Sequence, residues 1–392
     1  MLPREQRLVN PASLSGQAAI VGAGTAAIGW ETNQSVAEIM ADAAHLALAD
    51  AGLNMRDVDG LFAVTPYFWM PSVTLADQLG IQPRVTDSTN IGGASVVAHV
   101  GHAVRAIALG QCEVALIAYA STQRSDTGKL VTGADLLPYE RPYGPLFPIS
   151  GYAMVAQRHM HEFGTTRGQL AKVAVAASQW AALNPEALKP EPVSVDDVLA
   201  SPLVSDPLRK LDICLVTNGG GAIVVTTRDR ARKLSKPPII VLGTGESHDH
   251  CYVSSMPSFT SSAAVVTGAA AFDMAGLGPA DMDMAQIYDA FTIMVLLGLE
   301  DLGFCRKGEG GRMIDAGIGP GAGFPVNTSG GGLRYCHPGM FGIFLLVEAV
   351  RQLRNECGRR QVANARHALV HGFGGVLAGN ATVILGRDER SR

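Results

Sequence analysis

Hydrophobic and polar positions along this chain switch between two periods, and they do so twice in the same order. From Gln17 the run "QAAIVGAGTAAIG" carries no charge and is rich in small and branched residues, as a buried strand is. In "SVAEIMADAAHLALADAG" the apolar residues fall three and four apart, which predicts an amphipathic helix opening at Ser35 and closing at Gly52. "GLFAV" then returns to strand after Asp57 and Asp59. Far downstream the plan recurs as "PPIIVLGTGES" from Pro237, a helical pattern in "SSAAVVTGAAAFDMAG" and a strand in "DMAQIY". The "AGL" triplets at Ala51 and Ala275 stand at the same offset as Asp57 and Asp59 from Asp281 and Asp283. Chance rarely keeps a helix end, a turn and two aspartates in step.

The next element repeats as well. "DSTNIGGASVVAHVGHAVRAIALGQCEVALIAYAST" and "VNTSGGGLRYCHPGMFGIFLLVEAVRQL", the latter continuing to "ARHALVHGFGG", each read as a Gly-rich turn, a long apolar helix and a buried strand. Asn90 and Asn327 mark the two turns. The pattern predicts two β-α-β-α-β halves, residues 1–232 and 233–392. Neither half covers its own sheet, so the two are expected to pack face to face about a pseudo-twofold. The insertion at about 123–212 holds the proline-rich "LLPYERPYGPLFP" and an amphipathic helix in "RGQLAKVAVAASQWAALN". It predicts a loop domain or lid over the seam.

Composition narrows the class. Hydrophobic residues make up 47% and charged ones 17% of 392, which is the balance of a well-buried enzyme or oligomer and not of a disordered chain. A net charge of -4 without any block of Lys and Arg gives no nucleic-acid footprint. The six cysteines never form a CxxC pair, which argues against a zinc ribbon or a disulfide framework and for reduced thiols. "MLPREQRLVNPASLSG" lacks an apolar signal core, and no stretch of about 18 residues reads as a spanning helix, so a soluble cytoplasmic protein is expected.

Three local motifs carry less than they promise. "GAGTAA" at Gly22 fits a dinucleotide fingerprint, yet "IGWETNQS" separates it from the helix whose N-terminus would hold a pyrophosphate. "HDHC", His248 to Cys251, has metal-ligand types without an evident cluster to complete a shell, and reads as a polar loop. In "QRHMHEF" His159 and His161 are two apart, so on a helix they diverge, and a surface or capping role is expected. No metal site is assigned.

The duplicated half, the Gly-rich turns, "QIYDAF", "YCHPG" and the terminal "HGFGGVLAGNATVIL" together resemble the thiolase superfamily over essentially the whole chain. The resemblance implies an α/β fold in which the two halves form a five-layer αβαβα core with an inserted loop domain, a homodimer, and acyl-CoA substrates. It also exposes what is missing. The family's nucleophilic cysteine falls on Gly93 in "NIGGASVVAH", and its second cysteine falls at His371 or Gly372. Glycine has no atom to acylate, so a covalent acyl-enzyme at that turn is excluded. Ser95 is the nearest hydroxyl and reads as a helix cap.

The family's Asn-Glu-Ala-Phe motif reads here as Tyr288-Asp289-Ala290-Phe291, and its Gly-His-Pro motif as Cys336-His337-Pro338. This pattern is similar to the thiolase-like aldolases of bacterial steroid side-chain degradation, often labelled lipid-transfer proteins. It implies Tyr288 and Tyr335 as an acid/base pair with His337 and Asp289 beside them, and a small OB-fold partner bearing a zinc ribbon. No cofactor is implied, because the CoA thioester belongs to the substrate. A retro-aldol cleavage of a β-hydroxyacyl-CoA needs a base for the β-hydroxyl and a stabiliser for the thioester enolate, and no covalent intermediate. Tyrosine, with an ordinary pKa near 10, serves as base only with a neighbour favouring phenolate or a relay, and His337 and Asp289 are suitable by type. Backbone N–H groups of "SGGGL" (Gly331, Gly332) or "GFGG" (Gly374, Gly375) are the candidate oxyanion donors. An acyltransferase with Cys336 as a relocated nucleophile and a non-catalytic acyl-CoA or lipid carrier are the competing readings.

Overall fold

The computed structural model describes residues 11–127 and 137–388; the expectation about the first ten residues, and the insertion at 128–136, lie outside them. The first half comprises β1 (Ala18–Gly29), α1 (Val36–Ala51), β2 (Gly60–Val64), α2 (Pro71–Leu79), β3 (Val85–Asp87), α3 (Ser95–Ala108) and β4 (Val114–Ser121). The insertion follows, with α4 (Gln123–Asp126), α5 (Ile149–Phe163), α6 (Arg167–Ala181), α7 (Val195–Ala200) and the short hairpin β5 (Leu203–Ser205) and β6 (Leu208–Arg209). The chain then completes the first half with β7 (Asn218–Thr227) and α8 (Arg228–Ala231). The second half runs through β8 (Ile239–His248), α9 (Ala264–Ala275), β9 (Met284–Ile287), α10 (Thr292–Asp301), α11 (Gly310–Ala316), α12 (Gly342–Leu353), β10 (His367–Gly374) and β11 (Gly379–Arg387).

The strands are ordered β3-β2-β4-β7-β1-β8-β11-β10-β9. The halves join only where β1 and β8 pair antiparallel, through Ala19–Ile240 and Ile20–Ile239. Each side of that junction repeats the other. Strands β2 and β4 run parallel with β7 antiparallel beside them, and β9 and β10 run parallel with β11 antiparallel beside them. Where β3 would have its counterpart, Val326 makes a lone parallel bridge to Ala285.

Five layers result, as the repeat and the family resemblance imply. Helix α1 packs on the outer face of β1, β7 and β4, and α9 on the outer face of β8 and β11. Between the half-sheets lie α3, which touches β2, β4 and β7 on one side and β8, β10 and β11 on the other, and α12, which likewise contacts both. These two are buried nearly all round; only His102, Arg105 and Ala108 of α3 and Arg351 of α12 are not fully covered. Helix α1 starts with a Ser35–Glu38 capping box and stops at left-handed Gly52.

The "GAGTAA" stretch lies inside β1. A side chain on Gly22 would stand 2.0 Å from the Ala47 carbonyl oxygen, and one on Gly243 in β8 would stand 2.0 Å from that of Ala271. Both glycines therefore let an outer helix press against its strand, and no phosphate loop forms. His159, expected at the surface of its helix, is fully buried, with Nδ1 2.7 Å from Thr165 Oγ1 and Nε2 3.0 Å from Glu300 Oε2. Thr165, between α5 and α6, and Glu300 of α10 thus hold both ring nitrogens inside.

Candidate active site

Two Gly-rich turns meet at the seam. The turn Asn90–Gly93 leads into α3, and the turn at Gly374–Gly375 joins β10 to β11. A side chain on Gly374 would stand 1.7 Å from the Ile91 carbonyl oxygen, and Gly92 and Gly375 have φ of +69° and +59°. Only glycine combines that approach with that backbone. Ser95 locks the first turn: its hydroxyl donates to the Gly92 carbonyl (2.6 Å) and accepts from the Ile91 N–H (2.9 Å).

A cavity of about 670 Å³ opens beside these turns, lined among others by Gly93, Tyr119, Tyr288, His337, Phe373 and Gly375. Tyr288 follows β9, and its N–H is tied to the His371 carbonyl (3.0 Å). The ring points at the first Gly turn. A Cβ on Gly93 would stand 2.2 Å from Tyr288 Cε2 and 2.5 Å from Cζ. The phenol thus fills the space a side chain at position 93 would need.

The Tyr288 hydroxyl is held from three sides. It donates to the Gly339 carbonyl, accepts from the Phe341 N–H (3.1 Å) at the N-terminus of α12, and lies 3.1 Å from His337 Nε2. Its one proton thus has two acceptors in reach. His337 is fixed by its backbone: its carbonyl accepts from Gln123 Nε2 (2.7 Å) and the Thr217 N–H (3.2 Å), and its own N–H donates to Thr217 Oγ1 (3.1 Å). Its ring stacks on Phe341, and Nδ1 has no hydrogen-bond partner. Burial drives His337 down to about 3, so the ring is neutral near pH 7. Burial also holds the Tyr288 phenol well above its usual value, against the pull of the Phe341 N–H. Two neutral groups that exchange one proton make a relay, not a standing phenolate.

The other expected residues are placed differently. Tyr335 does not line the cavity. Residues Gly331–Tyr335 form a π-helical turn that turns the ring onto Phe344, and its hydroxyl donates to Glu186 (3.1 Å), itself paired with Arg351 (3.0 Å). Asp289 is fully buried behind the cavity wall, where its Oδ1 accepts from the Gly332 N–H (2.7 Å) and Oδ2 has no partner. Burial raises it to about 7 despite the N–H donors of Gly332 and Leu333. Gly331 and Gly332 therefore serve Asp289 and Ser329 and are not aimed at the cavity, whereas Gly374 and Gly375 line it. Cys336 is fully buried, and burial pushes its thiol up.

Sequence reasoning passed over part of the wall. His248, His250 and Cys251 of the "HDHC" loop line the cavity, and His250 Nε2 bonds the Val376 carbonyl (2.9 Å) beyond the second Gly turn. The signal was the repeat itself, since this loop leaves β8, the strand at the seam. Tyr119 and Tyr152 also face inward. Tyr119 accepts from the Met340 N–H (2.9 Å) and Tyr152 donates to the Gly375 carbonyl (2.7 Å), so both brace turns that line the cavity.

Comparison with known proteins fits this geometry. Residues 245–387 match the family model "Thiolase C-terminal domain-like". The chain is 37% identical over 388 residues to the 17-hydroxy-3-oxo-4-pregnene-20-carboxyl-CoA lyase of Mycobacterium tuberculosis, spanning 93% of this chain and 98% of that protein. It is 34% identical over 379 residues to an acetyl-CoA acetyltransferase of Methanothermobacter thermautotrophicus, with the same two shares. A solved structure named "Ltp2-ChsH2(DUF35) aldolase" superposes with a TM-score of 0.89 at 32% identity, covering 97% of this chain and all of that one. With identities of 34% and 37% over nearly the full length of both relatives, the chain belongs to the thiolase superfamily.

Proposed function

We propose that this protein is a thiolase-like aldolase that breaks the Cα–Cβ bond of a β-hydroxyacyl-CoA, releasing a ketone and a shorter acyl-CoA. The observation that carries this reading is the exchange at the seam: position 93 has no side chain, and the Tyr288 phenol stands in the vacated space. A covalent acyl-enzyme has no nucleophile there, whereas a proton relay has both its members. Names of relatives point the same way, since one is a CoA-ester lyase and one an aldolase.

The Tyr288 oxygen takes the β-hydroxyl proton as its own passes to His337 Nε2. The Cα–Cβ electrons move into the thioester enolate, the β-carbon becomes the ketone, and the proton returns through Tyr288 to the α-carbon. Protons balance with no cofactor, and the relay's one oxygen and one nitrogen, Tyr288 Oη and His337 Nε2, lie 3.1 Å apart. Backbone N–H groups of the Gly374–Gly375 turn are the proposed donors to the enolate oxygen. Tyr335 and Asp289 support the His337 turn from behind. A bulky polycyclic acyl group, as on a steroid side chain, is the proposed substrate class. A homodimer in complex with a small OB-fold, zinc-ribbon protein is the proposed assembly, supported by the pairing in the name of the Ltp2-ChsH2(DUF35) structure.

The test is to incubate the chain, alone and with a DUF35-type partner, with β-hydroxyacyl-CoA esters and measure ketone and shorter acyl-CoA. Tyr288→Phe should lower kcat about 10²–10⁴-fold, the usual contribution of a positioned acid or base. Turnover at the wild-type rate in Tyr288→Phe would sink the proposal.

A further inference from the structure

A second cluster lies beside the first Gly turn, away from the relay. His99 and His102 are three residues apart on α3, so their rings share a helical face, with centroids 5.8 Å apart. Asp87, at the end of β3, faces them. One ligand atom from each of Asp87, His99 and His102 falls within 4.8 Å of the other two. The Asp87 carboxylate is oriented for this: its Oδ1 accepts from the Thr89 N–H (2.7 Å) and hydroxyl (2.8 Å), which leaves Oδ2 toward His102 Nδ1. On the far side of the His102 ring, Nε2 lies 2.7 Å from Glu246 Oε2 of β8.

His99 is the independent observation. It is completely buried, and neither ring nitrogen has a hydrogen-bond partner of normal geometry. Burial holds it neutral, down to about 4, against Asp87 and the nearby Thr89 backbone. A buried imidazole without a partner is destabilising, unless a ligand takes its lone pair. "HDHC" drew the eye in the sequence, but the pattern with helical spacing was His-Val-Gly-His.

We infer that Asp87, His99 and His102 hold a divalent transition ion, zinc by ligand type, with Glu246 as the outer partner of His102. Two imidazoles and a carboxylate suit zinc and leave a fourth position for water. Coordination through Nδ1 would leave the His102 Nε2–H donating to Glu246, the usual arrangement of a carboxylate behind a metal-bound histidine. Arg105, 3.9 Å from Glu246, and His248, 4.0 Å from it, face that outer carboxylate and not the ligand atoms. Asp87 and His102 are partly exposed, with 25% and 17% of their side chains accessible, which gives the ion an entry. Because Glu246 comes from the second half and the other three from the first, the ion would brace the seam just before Asn90–Gly93.

The test is a titration of chelator-treated protein with Co²⁺ and with Zn²⁺. Wild type should take up about one ion per chain, with the visible bands of low-coordinate cobalt and a higher Tm in zinc. His102→Gln and Asp87→Asn should each weaken binding about 10–100-fold and lose the Tm rise, while Cys251→Ala should keep both. Wild type that binds neither ion overturns the inference, as does full binding in His102→Gln and Asp87→Asn. The wild-type titration decides even if a variant fails to fold.

Discussion

Gly93→Ala is the smallest change that probes the seam. A methyl at this position would stand 2.2 Å from Tyr288 Cε2, 2.5 Å from Cζ and 2.5 Å from the Phe373 carbonyl oxygen. The ring must withdraw by about 1 Å to reach ordinary carbon contact near 3.5 Å. It cannot do so freely, because its hydroxyl is held by the Phe341 N–H, the Gly339 carbonyl and His337. Overpacking of this kind costs about 1–3 kcal/mol, and stretching one hydrogen bond adds about 1 kcal/mol. A misplacement of about 1 Å in a positioned acid or base costs about 10²-fold in rate. Gly93→Ala should therefore lose roughly 2–4 kcal/mol in denaturant unfolding and about 10²-fold in kcat. Gly93→Cys should fail in the same way and gain no acyl-enzyme. Removing the ring first should relieve its two contacts but not the one with the Phe373 carbonyl, so in Tyr288→Ala the added Gly93→Ala should cost less than it does in wild type, a coupling that a double-mutant cycle reads directly. Additive effects of the two substitutions, or a Gly93→Ala enzyme with wild-type stability and turnover, would refute the reasoning.

Tyr335→Phe removes only the hydroxyl's bond to Glu186, so it should cost about 1 kcal/mol in stability and far less in kcat than Tyr288→Phe; equal losses would restore Tyr335 to the reacting pair. Asp289 is raised from its unfolded value near 3.8 to about 7, so the folded state binds the extra proton between those values and stability falls as pH rises through that window. Asp289→Asn should gain on wild type by up to about 4 kcal/mol between pH 4 and 8, and a difference independent of pH would count against the assignment. Cys336→Ala should leave turnover within a few fold because the thiol is buried off the cavity, and a trapped acyl adduct on Cys336 would reverse that view. Cys251, the one cysteine among the described residues that lines the cavity, is the residue to check first if acyl transfer is ever detected.

The architecture was legible because a duplicated fold writes its pattern twice. Strand, helix and turn recur in the same order, and the pairing of β1 with β8 is where such halves must meet. The Gly turns were legible for the same reason, since "NIGGA" and "HGFGG" mark places where backbones touch. Side-chain direction was not. Tyr335 and His337 are two apart, and in a regular strand they would share a face. The π-helical turn at Gly331–Tyr335, entered through Gly330 and Gly331 at positive φ, breaks that rule and sends Tyr335 to Glu186 while His337 meets Tyr288. The "HDHC" loop is the polar loop expected, but its place in the cavity wall was not legible because its neighbours come from remote segments: Val376, which His250 bonds, is 126 residues away.

Glycine at position 93 and tyrosine at position 288 are structurally coupled. Position 93 and position 288 belong to different halves, yet their side chains compete for one volume at the seam. A thiol at the first would exclude the phenol at the second, so the two substitutions are compatible only together. The Phe341 N–H at the N-terminus of α12 is aimed at the Tyr288 oxygen that stands there. In the proposed cleavage this is the oxygen that lends and recovers a proton. With its imidazole neighbour neutral and buried, the pair has no use for a covalent intermediate, and cleavage without acyl transfer is the chemistry left open to it.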